Sequence, residues 1–345
     1  MTIVVKYKNR QGFIVLISFI ILILLIASAS AIGTVKISVP EVFSIVLSKI
    51  FYGNSISKTN EIIILNIRLP RAFLACFIGM GLSSVGLVYQ GIFKNPMADP
   101  FILGTSSGSA LGASIAIVLG MQDTLFGLSG VAVSAFIGSI LTTFVVYNIA
   151  KVGNRASNTN LLLAGVAVNF FLSSIISFIM VLDRNQVEKI VFWTLGSLAL
   201  ANYKNVVLLM LVIIPSILLI YFFSRDLNII TTGEETAASL GVEVERVKNT
   251  MLVLSSLIVA TSVSVSGIIG FVGLIMPHVV RMIIGPDYKK ALPLTMLWGA
   301  SFMVLCDILS RSILSPAEIP VGVITSFFGA PYFIYLLYRE KRKVK

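Results

Sequence analysis

Few side chains in this sequence could do chemistry, and the shortage narrows the function. There is one histidine, His278, so imidazole clusters for haem or a catalytic metal cannot be assembled, and no bound metal is expected. The more natural role for His278 is to satisfy a carbonyl near a helix break. Cys76 and Cys306 both sit inside apolar runs and read as small buried hydrophobes. No Gly-Lys pair occurs, which excludes a phosphate-binding loop of the form GxxxxGK[ST] in this polypeptide. Asp307 is the one clear carboxylate within an apolar stretch, and Arg311 follows it four residues later on the same helix face. Ion-driven transporters normally carry several ionisable groups at mid-membrane depth. With no paired carboxylates or nucleophile–base constellation either, the chain is not expected to be an enzyme.

Such sparse chemistry must be positioned by elements built for lipid. Of 345 residues, 57% are hydrophobic and 12% charged, well below the roughly 25% charged of an ordinary soluble domain. Uninterrupted runs free of Asp, Glu, Lys and Arg cover 11–35, 72–93, 100–122, 124–150, 156–182, 205–224, 249–280, 291–306 and 319–338. A hydrocarbon core takes roughly 20 apolar residues per helix, so nearly all of these are span-sized. The run 249–280 is too long for one span and too short for two. With Gly267, Gly270, Gly273 and Pro277 in its second half, it predicts a helix, a break and a short second helix. The reading is an all-α integral membrane fold of about ten transmembrane helices in a single polytopic domain, 1–345. Lys6, Lys8 and Arg10 precede the first run and Arg339, Lys341, Arg342, Lys343 and Lys345 follow the last, so both termini are expected in the cytoplasm. Most of the 26 Lys and Arg then fall inside, and the +11 net charge is a topology signal that needs no nucleic acid partner. The first run is expected to be a retained helix and not a cleaved signal.

Between the spans, PEVFSIVLSKIF predicts a short outer surface helix with Val42, Phe43, Val46, Leu47 and Ile50 on one face. Trp193 suits a second outer, interfacial segment. On the inner side, 224–249 holds a polar helix, with Thr232 as its expected cap, Glu234 and Glu235 in its first turn and Gly241 as its stop. A faint echo links Gly86–Pro96 to Gly267–Pro277, as an inverted repeat would. The small residues Gly104, Ser106, Ser107, Gly108, Ser109, Gly112 and Ala113 predict close helix packing.

At RLPRAFLACFIGMGLSSVGLVYQGIFKNPMADPFILGTSSGSALGA, residues 68–113, the chain closely resembles the FecCD-type permeases, the membrane subunits of ABC importers for iron-siderophores, haem and vitamin B12. GEETAASLGVEVER, SGIIGFVGLIMPHVVR, CDILSR and PAEIPVGVITSFFGAPYFIYLL agree in order. The resemblance implies a vitamin B12 permease-like fold and a homodimer in the prokaryotic plasma (inner) membrane. It also implies two cytoplasmic ATP-binding subunits that carry ATP and Mg, with no cofactor in this chain, and an extracytoplasmic substrate-binding protein. It places docking of that protein on Arg68, Arg71 and Arg311, whose guanidinium forks match carboxylates; the alternative is that Arg311 pairs with Asp307 and the other two reach headgroups. ATPase coupling is implied at Gly233, Glu234, Glu235, Ala238, Leu240 and Gly241. A cytoplasmic gate is implied at Asn95, Met97, Asn158, Thr159 and Asn160, positions that helix-terminus roles explain equally well. The expected function is inward translocation of an iron-siderophore, haem or corrinoid by alternating access, against the alternative of an ion-gradient-driven secondary transporter.

Overall fold

The computed structural model describes residues 2–33, 35, 37–51, 58–121, 124–125, 128–153 and 155–343. Lys345, part of the basic run expected inside, lies outside the described residues, as do 52–57 of the first outer segment. Seven helices among the described residues are long and apolar enough to cross a membrane, and three shorter apolar ones accompany them.

The chain begins with α1 (Thr2–Ala31) and α2 (Val39–Phe51). The expected surface helix exists, with a rotated face: Val42 and Ile45 are buried with Ala31, Ile37 and Ile64, while Phe43 and Leu47 stay exposed. At 100° per residue the stripe Val42, Ile45, Val46 is adjacent to the stripe Phe43, Leu47, and the bundle takes only the first.

α3 (Thr59–Ile92) runs 34 residues and includes a π-helical stretch at Ile63–Arg68. That stretch precedes Pro70, whose ring and missing N–H disturb the turn before it. α3 is the centre of the molecule, with 83% of its apolar window buried. Around it pack α8 (Tyr203–Phe222), α11 (Val244–Ser266), α12 (Val272–Ile284) and α13 (Tyr288–Ser312). The two halves of the sequence echo meet here: a Cβ on Gly86 would lie 1.7 Å from the Gly273 carbonyl oxygen, so glycine alone permits this approach of α3 and α12.

α4 (Thr105–Val118) packs along α5 (Gly130–Ala150) through the small residues expected to pack. A Cβ on Gly108 would fall 2.4 Å from the Gly138 oxygen, and one on Gly112 would fall 2.1 Å from the Ser134 oxygen. By contrast α6 (Asn158–Leu182) has only 11% of its window buried, and Phe170, Phe171 and Phe178 face outward. α7 (Val187–Thr194) follows, carrying a half-buried Trp193 that joins two parts of the core.

The run 249–280 breaks as expected. α11 ends at Ser266, and α12 starts at Val272 after Gly267 and Phe271, both at positive φ. Irregular backbone at such depth must be covered and satisfied. Ser197 N–H donates to the Ser266 carbonyl at 2.7 Å, Gly267 packs on the Trp193 carbonyl, and Phe271 packs on Gly329 of α14 (Val321–Lys343). The inner polar segment forms α9 (Ser224–Thr232) and α10 (Glu234–Ser239).

Candidate functional site

Arg68 and Arg71, three residues apart, meet the distant Arg311 at one end of the bundle, each about 95% buried. Arg71 donates through Nε to Asp307 at 2.7 Å and through Nη1 to Glu318 at 2.9 and 2.8 Å. Arg311 pairs with Asp307 at 3.1 Å, the one-turn pairing that its spacing allows, and also donates to the carbonyls of Ala29 and Ile32. Arg68 holds the carbonyls of Ser30, Ala31 and Val35 and has no carboxylate among the described residues. Two carboxylates thus face three guanidinium groups, leaving a net positive charge. Glu318, half exposed at 41%, is the accessible member. Sequence reasoning missed it, although it is an acid standing directly before an apolar run.

At the other end, α9 and α10 form a polar elbow. Thr232 is not the cap of α10: Gly233, at φ 150°, separates the helices, and the Thr232 hydroxyl donates back to the Ile229 carbonyl at 2.8 Å. Two contacts tie the elbow to the spans. Lys248 of α11, almost fully buried, donates to Glu234 at 3.0 Å. Asn228 of α9 donates to Asp287 at 2.9 Å and accepts from Tyr288 N–H at 2.8 Å. Burial pushes the Asp287 carboxyl up, but the donors Asn228, Lys289 N–H and Lys290 outweigh it and hold the group below its usual range. Leu240, by contrast, is 65% exposed on this polar element, and Glu235, Ala238 and Gly241 are exposed beside it. Asn228, Lys248 and Asp287 carried no sequence signal, because pairing between separate helices, across 59 residues for Asn228 and Asp287 and 14 for Lys248 and Glu234, leaves no local pattern.

The asparagines expected at a gate all bond to backbone. Asn158, at the start of α6, donates to the Ile92 carbonyl at the end of α3 at 2.7 Å, joining these two helix ends. Asn95 accepts from Met97 N–H at 2.9 Å, and Asn160 Nδ2 donates to the Ala150 carbonyl at 3.5 Å; Thr159 is exposed. Asp99, in the same NPMADP loop, accepts from Phe101 N–H at 2.8 Å, in the turn before α4. Burial pushes its carboxyl up to about 6, against that hydrogen bond. Because the folded state holds this proton longer than the unfolded chain, stability from Asp99 is complete below its ordinary value of 3.8 and is lost as pH rises through 6. Asp99→Asn keeps the acceptor and removes the charge. It is expected to raise stability at pH 7.5 by about 2 kcal/mol, discounted for partial exposure, with no gain near pH 4. A thermal melt that shifts equally at both pH values would refute this.

His278 makes an edge contact with Tyr332 and lines an inner cavity. No group of three metal-ligating His, Cys, Asp or Glu occurs among the described residues. A model of the FecCD transport family matches residues 20–339. The cobalamin import permease BtuC of Halobacterium salinarum is 39% identical over 282 residues, 82% of this chain and 75% of that protein. The hemin transport permease HmuU of Yersinia pestis is 37% identical over 281 residues, 81% of this chain and 84% of that one. Among solved structures, an inward-facing conformation of an ABC transporter described as metal-chelate type superposes with a TM-score of 0.83 at 32% identity, covering 95% of this chain and 99% of that one.

Proposed function

As a member of the FecCD transport family this chain is a multi-pass inner-membrane ABC permease, and we propose that it forms half of a homodimer importing an iron-siderophore, haem or corrinoid by alternating access. The observation that carries this reading is the elbow of α9 and α10. It presents an exposed leucine on a polar surface while Lys248 and Asn228 anchor it to α11 and α13. A lever of that form can pass a push from a cytoplasmic partner to the spans. ATP and Mg are then handled by two separate ATPase subunits, through Gly233, Glu234, Glu235, Ala238, Leu240 and Gly241 on this side.

The exposed aromatic face of α6, with Phe170, Phe171 and Phe178, is where a second copy would be seated, since exposed apolar surface meets a partner or lipid. The transport path lies along that dimer axis. Asn95, Met97, Asn158, Thr159 and Asn160 form its cytoplasmic gate, where the Asn158–Ile92 bond couples the end of α3 to α6. The seven long and three short apolar helices, with the charge asymmetry, support ten spans with both termini inside. The substrate class rests on relatives named for cobalamin and hemin.

The net positive cluster of Arg68, Arg71 and Arg311 is the dock for an acidic face of the binding protein. Glu318 competes for the same Arg71 fork, so Glu318→Gln should tighten docking about threefold, read by titrating the binding protein onto the reconstituted permease. Weaker docking would mean that Glu318 itself makes the contact. Proteoliposomes holding this chain and its ATPase subunits should take up substrate with ATP and stop with vanadate. Uptake driven by an ion gradient and indifferent to vanadate would replace this reading with a secondary transporter.

A further inference from the structure

A cavity of about 480 Å³ opens beside the elbow, lined by Gln90, Lys94, Thr231, His278, Arg281 and Tyr288 among others. Its walls come from the end of α3, from α9, from α12 and from the first residue of α13. Its charge is one-sided: two permanent cations line it and no carboxylate does. Neither Lys94 nor Arg281 forms an ion pair among the described residues. Asp287, the nearest acid in sequence, is already held by Asn228, Lys289 N–H and Lys290.

Two further observations point to a ligand. Tyr288 is 3% exposed, and its hydroxyl, which makes no hydrogen bond of good geometry, has the Arg281 guanidinium as its interaction partner. Gly91 makes room for that hydroxyl, since a Cβ there would stand 2.0 Å from it. A guanidinium can only donate, so the proton of the hydroxyl beside it is left for an acceptor in the cavity. Lys94 adopts φ 48°, left-handed backbone that a residue with a side chain seldom takes, and such conformations gather at binding sites. Arg281 is oriented by Gln90, which accepts from its Nη2 while donating to the Leu274 carbonyl at 3.1 Å.

We propose that this cavity binds a phosphate group, with Lys94 and Arg281 supplying charge and the Tyr288 hydroxyl donating a hydrogen bond. Basic pockets between helices at the membrane–water boundary take phospholipid headgroups, and Met282 and Ile283 are exposed on the same end of α12. Free phosphate offers the same chemistry without acyl chains. A group seated there would touch α3, α12 and α13 next to Thr231 of the elbow, so its presence would stiffen the joint between elbow and spans.

The test uses the full chain purified in zwitterionic detergent. Its melting temperature is followed against phosphatidylglycerol, phosphatidylcholine and sodium phosphate, the last compared with chloride at equal ionic strength. A rise with phosphatidylglycerol and not with phosphatidylcholine identifies a headgroup; a rise with phosphate as well identifies the free anion. Lys94→Gln, an exposed change that leaves the core intact, should weaken the effect about fivefold, whereas Lys289→Gln, outside the cavity, should not. Equal response to both lipids with none to phosphate, or a Lys94→Gln response equal to the unmodified chain, overturns the proposal.

Discussion

Replacing Asp307 with alanine is expected to cost about 3–5 kcal/mol, enough to remove most folded protein from the membrane. The reason lies in the accounting of buried charge. Asp307 is fully buried and is shared by Arg71 at 2.7 Å and Arg311 at 3.1 Å. Without it Arg311 has no carboxylate among the described residues, and Arg71 keeps only the half-exposed Glu318. Removing one member of a buried charge set leaves the desolvation cost of the others unmatched. Glu318→Gln is the contrasting case, because a pair open to solvent is worth about 1 kcal/mol or less. Thermal melts and the monodisperse yield of both variants decide the matter. An Asp307→Ala protein as stable as Glu318→Gln would show that the arginines find sufficient partners in the backbone carbonyls they already hold.

Leu240→Glu should leave the fold untouched and reduce ATP-driven uptake about tenfold or more. At 65% exposure the side chain contributes little to this chain's own core, so the melting temperature should not move. In the assembled transporter an apolar anchor on a polar element is the kind of side chain that fills a partner's pocket. Hydrolysis by the ATPase subunits, measured in the same proteoliposomes, should continue while ignoring added binding protein. If uptake is unaffected, the elbow is a solvated connection and force must enter elsewhere. Lys248→Met offers an internal comparison. It removes the buried cation that grips Glu234 at 3.0 Å, and so loosens the lever without changing its tip.

These two experiments probe opposite ends of one molecule, and the ends differ in how legible they were. Spans, the broken helix after Ser266, the close packing of Gly108 and Gly112 and the pairing of Arg311 with Asp307 could all be read from spacing. Each depends on helix periodicity or on the absence of charge, and both are local properties that lipid enforces. The elbow was legible as a polar helix with acids in its first turn, though its boundary was misplaced. Gly233 breaks the chain after Thr232, a backbone choice that composition does not reveal.

What the sequence by itself determined is a membrane-embedded, predominantly helical chain, since the length and apolarity of its runs leave no other solvent. Tertiary structure alone decided which side chains meet. It gathered Arg68, Arg71, Arg311, Asp307 and Glu318 from three regions, joined Asn228 to Asp287, and left Lys94 and Arg281 together in a cavity without an acid. The physical reason is that charge pairing and close approach depend on where helices cross, and crossing is settled by glycine contacts such as Gly86 on Gly273, 187 residues apart in the chain's order but neighbours in space.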